Sequence, residues 1–248
     1  MSTDLKDWMI VVGQMIKPYF TKQYTVKPHT LEMTINGLTY KIVRPNHGLA
    51  HGLRQSIIAV KIVPLLISAQ PTHPMSQWLL QQDEDFIFKL GMVAAFQRTG
   101  RQSEIGHRDN PSLYQEYIRN DVKNFHHHAK RYVDNFRDDE EISFFQDALM
   151  WPLREELITL NYLETILSIS HKADLRRILS FDQERILKMI RESLVGYPSW
   201  IVDAIWKLSG DHLKATGDRD MVAQRTYQPT FCFISTNPEE IVERLWVI

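Results

Sequence analysis

The sequence predicts a mainly α-helical protein: a single all-helical bundle with a small N-terminal β-hairpin, forming one domain over residues 1–248. Apolar residues recur with the helical period through most of the chain after residue 47. Alternation of apolar and polar residues is confined to residues 24–43, where Asn36-Gly37 marks a hairpin turn. No repeat, low-complexity tract or linker rich in Pro, Gly and Ser interrupts the chain, which favours one domain.

The predicted elements follow in order along the chain. Residues 4–19 are amphipathic and predict a helix that stops near Pro18, because proline cannot continue the backbone ladder. After the hairpin, the helical period predicts helices at about 47–68, 74–82, 83–98, 111–136, 140–170, 181–194 and 199–213. Pro152 is expected to divide the fifth of these. Residues 217–236 are mixed, and Asn237 followed by Pro238 predicts the start of a last helix.

Composition excludes several classes of protein. The formal net charge is −1, so no overall basic field recruits nucleic acid. The single cysteine, Cys232, excludes an internal disulfide framework and a cysteine-rich zinc module. The apolar run at 57–68 contains Lys61 and is too short for a membrane span. No classical signal peptide is visible at the N-terminus, which leaves export through another signal open.

The most informative segment is residues 44–54, RPNHGLAHGLR. His47 and His51 are four residues apart, so both imidazoles are expected on one face of the helix predicted to begin at His47. Arg44 and Asn46 precede them, and the backbone N–H groups of a helix start attract anions. The segment therefore predicts a site that acts on a phosphate.

A second segment gathers basic charge in a chain that is otherwise nearly neutral. Residues 95–108 read AFQRTGRQSEIGHR and follow a mostly apolar helical stretch. Arg98, Arg101 and Arg108 are candidates to bind phosphate oxygens, because guanidinium groups donate two parallel hydrogen bonds to them. Glu104 lies among these arginines and is well placed to orient a histidine.

A third segment offers a histidine and an aspartate three residues apart, His171 and Asp174, which share a helix face. Taken alone, this pair fits either an ordinary helix junction or a site. The run His126-His127-His128 suggests a metal cluster, but three consecutive helical residues point in different directions and cannot hold one ion together. The structural interpretation is favoured for that run.

The layout of these segments invites comparison with HD-domain phosphohydrolases. On that comparison, His47, His51 and Asp174 of this chain would be metal ligands. Where those enzymes have a His-Asp doublet, this chain has Gln97-Arg98. That change removes two ligands and adds a cation, which disfavours a divalent metal. Metal-dependent nucleotide hydrolysis therefore stays as the less favoured alternative, together with a non-catalytic module that binds a nucleotide or ubiquitin.

The chain resembles more closely the phosphodiesterase domain of the SidE-family effectors of Legionella, and the related Dup proteins that reverse their reaction. The matching residues are RPNHGLAH at 44–51, FQRTGR at 96–101 with Glu104, and His171 on its helix. The resemblance extends over nearly the whole chain. Both the ligases and the hydrolases of this family use the same catalytic residues, so these motifs do not distinguish ligation to serine from hydrolysis.

This resemblance implies a function and a set of roles. The substrate would be ubiquitin bearing ADP-ribose, or ubiquitin in a phosphoribosyl linkage, and the reaction would need no metal or other cofactor. His47 would be the nucleophile that forms a phosphoramidate, His171 the general acid and Glu104 the residue that orients His47. His51, with Arg44, Asn46, Arg98, Arg101 and Arg108, would bind the substrate. The resemblance also implies a secreted effector that acts in the host-cell cytoplasm.

Overall fold

The structure is a computed structural model, and it describes the chain in eleven stretches. The described residues are 5–26, 30–35, 38–43, 48–83, 85–101, 110–131, 136, 138–154, 159–177, 183–216 and 237–248. Side chains are described for all of these except 21–26, 30–35 and 38–43.

The described part of the chain contains eleven helices and two strands, and the predicted mainly helical class is confirmed. The elements are α1 (Leu5–Val26), β1 (Thr30–Ile35), β2 (Leu38–Val43), α2 (Leu49–Ala69), α3 (Pro74–Leu80), α4 (Phe86–Phe96), α5 (Pro111–Ala129), α6 (Asp139–Ala148), α7 (Trp151–Arg154), α8 (Tyr162–Asp174), α9 (Gln183–Ser193), α10 (Trp200–Thr216) and α11 (Pro238–Trp246). The backbones of β1 and β2 pair antiparallel, with Thr30 opposite Val43 and Ile35 opposite Leu38. The predicted turn residues Asn36 and Gly37 lie outside the described residues, as does the mixed stretch 217–236.

Helix α2 forms the centre of the bundle and contacts α1, α3, α4, α8, α10 and α11. Its apolar residues Leu53, Ile57 and Ile62 have no exposed surface. A helix that is apolar on all sides is expected in such a central position. Among the described residues, α2 is also the one helix long and apolar enough to cross a membrane, but 67% of its most apolar stretch is buried inside the protein. Burial in the core accounts for its composition.

Helix α1 does not stop near Pro18, and that prediction is wrong. The helix continues to Val26 because Ile16 and Phe20, one turn apart on either side of the proline, are both buried in the core. Proline releases the carbonyl of the residue four positions earlier, Gln14, which is exposed and can bind water instead. Packing of the apolar face outweighs the loss of one helical hydrogen bond.

The helix predicted over 140–170 is three helices in the structure. The first break falls at Leu149 and Met150, and Pro152 lies in the first turn of α7 rather than at the break, a position that proline tolerates. Two neighbouring predictions were also too long: α4 begins at Phe86 and ends at Phe96, and α5 ends at Ala129. The predicted start of the last helix is confirmed, since the Asn237 side chain accepts a hydrogen bond from the backbone N–H of Glu239.

Helix α8 begins at a capping box that fixes its register. The Asn161 side chain accepts from the backbone N–H of Glu164 at 2.9 Å, and the Glu164 carboxylate accepts from the N–H of Asn161 at 3.0 Å. Arg154 of α7 also pairs with Glu164 at 2.6 Å. From this fixed start, the helix carries His171 and Asp174 in its last turn, directed against α2.

Candidate active site

Two buried histidines from different helices lie next to each other where α2 meets α8. His51 is in the first turn of α2 and His171 is in the last turn of α8, with ring centroids 6.0 Å apart. Their exposed fractions are 1% and 7%. Imidazoles are seldom buried this deeply without defined partners, and both rings have them.

Asp174 is the hub that holds His51. Its Oδ2 lies 2.5 Å from Nδ1 of His51, a short hydrogen bond between buried groups. The same carboxylate accepts from Nε of Arg54 at 2.6 Å and from Nη1 of Arg177 at 2.9 Å. Arg54 reaches further to Thr216, whose hydroxyl accepts from Nη1 at 3.1 Å. One buried carboxylate is thus shared by two guanidinium groups and one imidazole.

His171 is held at both ring nitrogens. Nη2 of Arg98 lies 3.2 Å from Nε2, and because a guanidinium group can only donate, Nε2 is the acceptor. Nδ1 must then carry the proton of the neutral ring, and the Gln55 amide lies 2.5 Å from it. The Oε1 of Gln55 is buried without a hydrogen bond to a described residue, so we assign the amide with Oε1 facing Nδ1. The Trp151 ring covers one side, 5.9 Å away between centroids.

The electrostatic environment keeps both imidazoles neutral. Burial, followed by the charge of Arg177, lowers the pKa of His51 to about 3 in spite of Asp174. Burial, followed by Arg98, places the pKa of His171 well below its ordinary value. Burial raises the pKa of Asp174, but Arg54 and Arg177 outweigh it and hold that pKa well below its usual range. The resting cluster therefore contains an ionised carboxylate, three guanidinium groups and two neutral imidazoles.

Arg98 reaches this cluster from an unusual backbone conformation. Its φ is +73°, in the left-handed region that residues other than glycine seldom adopt. The side chain is buried, and Nη1 donates to the Tyr114 hydroxyl at 2.8 Å while Cζ lies 5.4 Å from the centre of the same ring. Backbone strain of this kind persists where the surrounding structure enforces it, and functional sites are common among such places.

Helix α5 enforces the turn that contains Arg98. Oδ1 of Asp121 accepts from the backbone N–H of Gly100 at 2.6 Å, and the carboxylate is buried. A Cβ at Gly100 would lie 2.5 Å from Cβ of Asn120 and 2.6 Å from the backbone nitrogen of Asp121, so only glycine fits against α5. Burial, partly offset by the hydrogen bond from Gly100, raises the pKa of Asp121 to about 6. Arg101, the last residue of the turn, is also buried, and its N–H donates to the Arg98 carbonyl.

The structure brings together several of the residues that the sequence predicted for the site. His51, Arg98 and His171 meet in the cluster, and Arg101 lies in the turn behind Arg98. Other predicted site residues lie outside the described residues, and their roles stay predictions: Arg44, Asn46, His47, Glu104 and Arg108.

Helix α2 begins at Leu49, two residues later than predicted, with Gly48 as its extended N-cap residue at ψ −177°. His47 lies outside the described residues, so the expectation that His47 and His51 share one helix face stays a prediction. Within the described part of α2, Gln55 shares a helix face with His51, and it contacts His171.

Four residues of the cluster were not predicted as site residues: Arg54, Gln55, Tyr114 and Arg177. Asp174 was considered as a partner of His171 on one helix face and as a metal ligand in the alternative function, and it was not among the predicted site residues. The spacing carried part of the signal, because Arg54 is three residues after His51 and Arg177 three after Asp174. The spacing could not indicate that Arg54 of α2 and Arg177, just after α8, both bind the Asp174 carboxylate.

The cluster disfavours the metal-dependent alternative on the grounds of charge. Both carboxylate oxygens of Asp174 already accept hydrogen bonds from guanidinium groups, and Arg98 adds a third cation beside His171. A divalent ion would have to displace these contacts and approach three like charges. No group of three potential ligands suited to a metal occurs among the residues with described positions.

The cluster of imidazoles and guanidinium groups, buried in a mainly helical domain, is of a kind that can bind phosphate groups. The chain belongs to the SidE phosphodiesterase (PDE) domain family, whose model matches residues 18–223. That match confirms the resemblance found in the motifs.

Solved structures show the same fold. The C-terminal domain of lpg1496 from Legionella pneumophila, solved in complex with nucleotide, is 19% identical with a TM-score of 0.67, covering 100% of this chain and 97% of that chain. A crystal structure of uncharacterized protein lpg1496 from Legionella pneumophila subsp. pneumophila is 20% identical with a TM-score of 0.65, covering 94% of this chain and 59% of that chain. No curated protein matches the chain.

Proposed function

We propose that this chain is a metal-independent phosphodiesterase acting on ubiquitin that carries ADP-ribose or a phosphoribosyl linkage. Membership of the SidE phosphodiesterase family supports the reaction class. The observation that carries the proposal is His171, a neutral imidazole between Arg98 and Gln55 beside the Asp174–His51 pair. The nucleotide bound to the similar lpg1496 domain supports a substrate that contains a nucleotide.

The first step would be attack by His47 on the phosphorus next to the ribose joined to ubiquitin. A bond forms between the imidazole nitrogen and phosphorus, the pyrophosphate P–O bond breaks, and AMP leaves with a proton from His171. A neutral imidazole is a competent nucleophile near neutral pH. Glu104 would orient His47, and this role, like that of His47, comes from the family resemblance.

Arg98 would link substrate binding to the protonation of His171. In the resting protein its guanidinium group donates to Nε2 of His171, and after burial it is the next largest cause that keeps the pKa of the ring low. A phosphate oxygen is a stronger acceptor than an imidazole nitrogen, and it would draw Arg98 away from Nε2. The negative charge of the substrate then raises the pKa of His171, which takes up the proton that it later donates.

The other site residues would bind the phosphates. His51 is fixed by Asp174 through Nδ1. The negative charge of the substrate would raise the pKa of His51, and the protonated Nε2 would then donate to a phosphate oxygen. Arg44, Asn46, Arg101 and Arg108 complete the substrate-binding set in this proposal. Guanidinium groups can neutralise charge on the phosphoryl oxygens, which makes a metal unnecessary in principle.

In the second step a water molecule or a substrate serine hydroxyl would attack the phosphoramidate. The P–N bond breaks, His47 is regenerated, and the product is phosphoribosyl-ubiquitin or its serine conjugate. The same proposal includes host ubiquitin as the partner. It also includes secretion of the protein into the host-cell cytoplasm, where it would act.

The test is incubation of the protein with ADP-ribosylated ubiquitin, with AMP release followed by mass spectrometry. AMP release that is unchanged by EDTA is expected. Loss of activity on chelation, with stoichiometric metal in the purified protein, would instead establish the metal-dependent alternative. Binding of AMP without turnover of either modified ubiquitin would establish a binding module. A parallel incubation with phosphoribosyl-serine-linked ubiquitin distinguishes a ligase from an eraser.

Variants connect the activity to the site. His171→Ala is expected to lower AMP release by at least about a hundredfold, because it removes the general acid. His127→Ala, which changes an exposed histidine of α5, is the matched control and should be fully active. Equal activity of the two variants would contradict the role proposed for His171.

A further inference from the structure

The C-terminal half of α5 and the two residues that follow it carry five basic side chains that have no part in the cluster described above. Lys123, His126, His127, Lys130 and Arg131 line an open surface cavity of about 480 Å³, and Gln146 of α6 lines its other side. We name it the basic cavity. Their spacing of three, four, seven and eight residues from Lys123 places them along one side of the helix.

The three consecutive histidines do not all face the basic cavity. The His128 side chain packs against α1 and α4 instead: its Nε2 lies 3.1 Å from the Tyr19 hydroxyl, and its ring centroid is 5.3 Å from that of Phe96. The structural interpretation of the run therefore fits His128. His126 and His127 instead line the cavity, and Nδ1 of His126 is held by Oε1 of Gln146 at 2.9 Å.

Among the residues that the structure describes, no acidic group balances the positive charge of the basic cavity: no carboxylate lines it, and Lys123, Lys130 and Arg131 make no ion pair there. Elsewhere on the surface, exposed cations often face carboxylates, as Lys207 faces Asp211 at 2.6 Å. Cations at a helix C-terminus complement its dipole, but the three positive charges of Lys123, Lys130 and Arg131 exceed what a partial charge of about one half can balance.

We propose that the basic cavity binds a soluble molecule with a chain of two or three phosphates, such as a nucleoside di- or triphosphate. Lys123 and Lys130 are seven residues apart, which is about 10 Å along the helix, so their charges suit an extended anion better than one phosphate. The volume lies within the range of small-molecule sites. Among the described residues that line the cavity, none is an apolar side chain that could insert into a membrane, which favours a soluble ligand over a lipid headgroup.

The experiment measures binding of ATP and of inorganic pyrophosphate by titration calorimetry. Lys123→Glu/Lys130→Glu is expected to weaken binding at this site at least tenfold. The matched control is Lys188→Glu/Lys207→Glu, which makes the same charge change at side chains 73% and 80% exposed and should leave affinity unchanged. Arg98→Ala should remove only the contribution of the other cluster to the measured heat, and the binding that remains should still be lost in Lys123→Glu/Lys130→Glu.

The outcome does not depend on whether the proposed phosphodiesterase reaction occurs. Unchanged affinity in the basic-cavity variant, or an equal loss in the matched control, would overturn the proposal. Binding to vesicles containing phosphoinositides, without binding of ATP or pyrophosphate, would overturn it in favour of a lipid headgroup. Thermal unfolding of both double variants checks that they are folded, and Lys123→Gln/Lys130→Gln provides a milder second test.

Discussion

Replacing Asp174 by asparagine removes the charge at the centre of the buried cluster and should destabilise the protein strongly. The side chains of Arg54 and Arg177 are almost completely buried, and each hydrogen-bonds to this carboxylate, at 2.6 and 2.9 Å. Breaking one buried ion pair costs about 3–5 kcal/mol, because the remaining charge is left uncompensated. The asparagine oxygen retains one hydrogen bond, so we expect a loss of about 4 kcal/mol, which is about 8–16 °C in Tm for a chain of this size.

The measurement is the free energy of unfolding from denaturant titration at pH 7, with Asp211→Asn as control. Asp211 pairs with two lysines on the surface. The Asp211→Asn variant should therefore have nearly the same free energy of unfolding as the wild type. Replacing Arg54 by methionine in the Asp174→Asn background should recover part of the lost stability, because it removes one of the two uncompensated charges. A loss below about 1 kcal/mol for Asp174→Asn would refute the description of Asp174 as a buried hub.

Three further predictions concern the supporting structure. Burial raises the pKa of Asp121 to about 6, so the stability that the protonated Asp121 contributes is complete below about pH 4 and is lost as pH rises through 6. The free energy of unfolding of Asp121→Asn, relative to wild type, should therefore rise by up to about 3 kcal/mol between pH 4 and 7. Parallel pH profiles of the two proteins in denaturant titration would contradict this. Gly100→Ala forces a Cβ against α5, so we expect a loss of about 1–3 kcal/mol and a lower rate of AMP release; a fully stable and active variant would show that the turn holding Arg98 can shift freely. Asn161→Ala removes the cap of α8 and should cost about 1 kcal/mol in thermal unfolding, whereas Thr165→Ala, which removes a half-buried hydroxyl that donates to the Asn161 carbonyl, should cost less than the cap.

The helical period predicted where most helices lie, but tertiary contacts decide where several of them end. Pro18 is a strong stop signal in the sequence, yet α1 passes it because Phe20 is buried on the far side. Helix α4 stops at Phe96 because the following residues form the turn in which Arg98 adopts a positive φ, held by Asp121 from α5. Neither contact leaves a local signal, since each joins residues from separate helices.

The sequence motifs predicted several residues of the candidate site, but they did not predict the hydrogen bonds that connect those residues. His51, Arg98 and His171 were identified because they stand in short polar segments beside apolar helices. Gln55 and Asp174 were also visible at helical spacing from those histidines, but their partners lie 116 and 123 residues away in sequence. Spacing within one helix does not show which residue of another helix completes a hydrogen bond, and so the hub at Asp174 came only from the packing of α8 against α2.

The central claim is that a histidine attacks the substrate phosphorus and carries a covalent intermediate. Its most direct test is rapid acid-free quenching of the reaction with ADP-ribosylated ubiquitin, followed by intact-protein mass spectrometry. We expect a transient species with the mass of the protein plus phosphoribosyl-ubiquitin, attached at His47 and absent in His47→Ala. AMP release by wild-type protein at the same rate as by His47→Ala, with no such adduct at any time, would contradict the account.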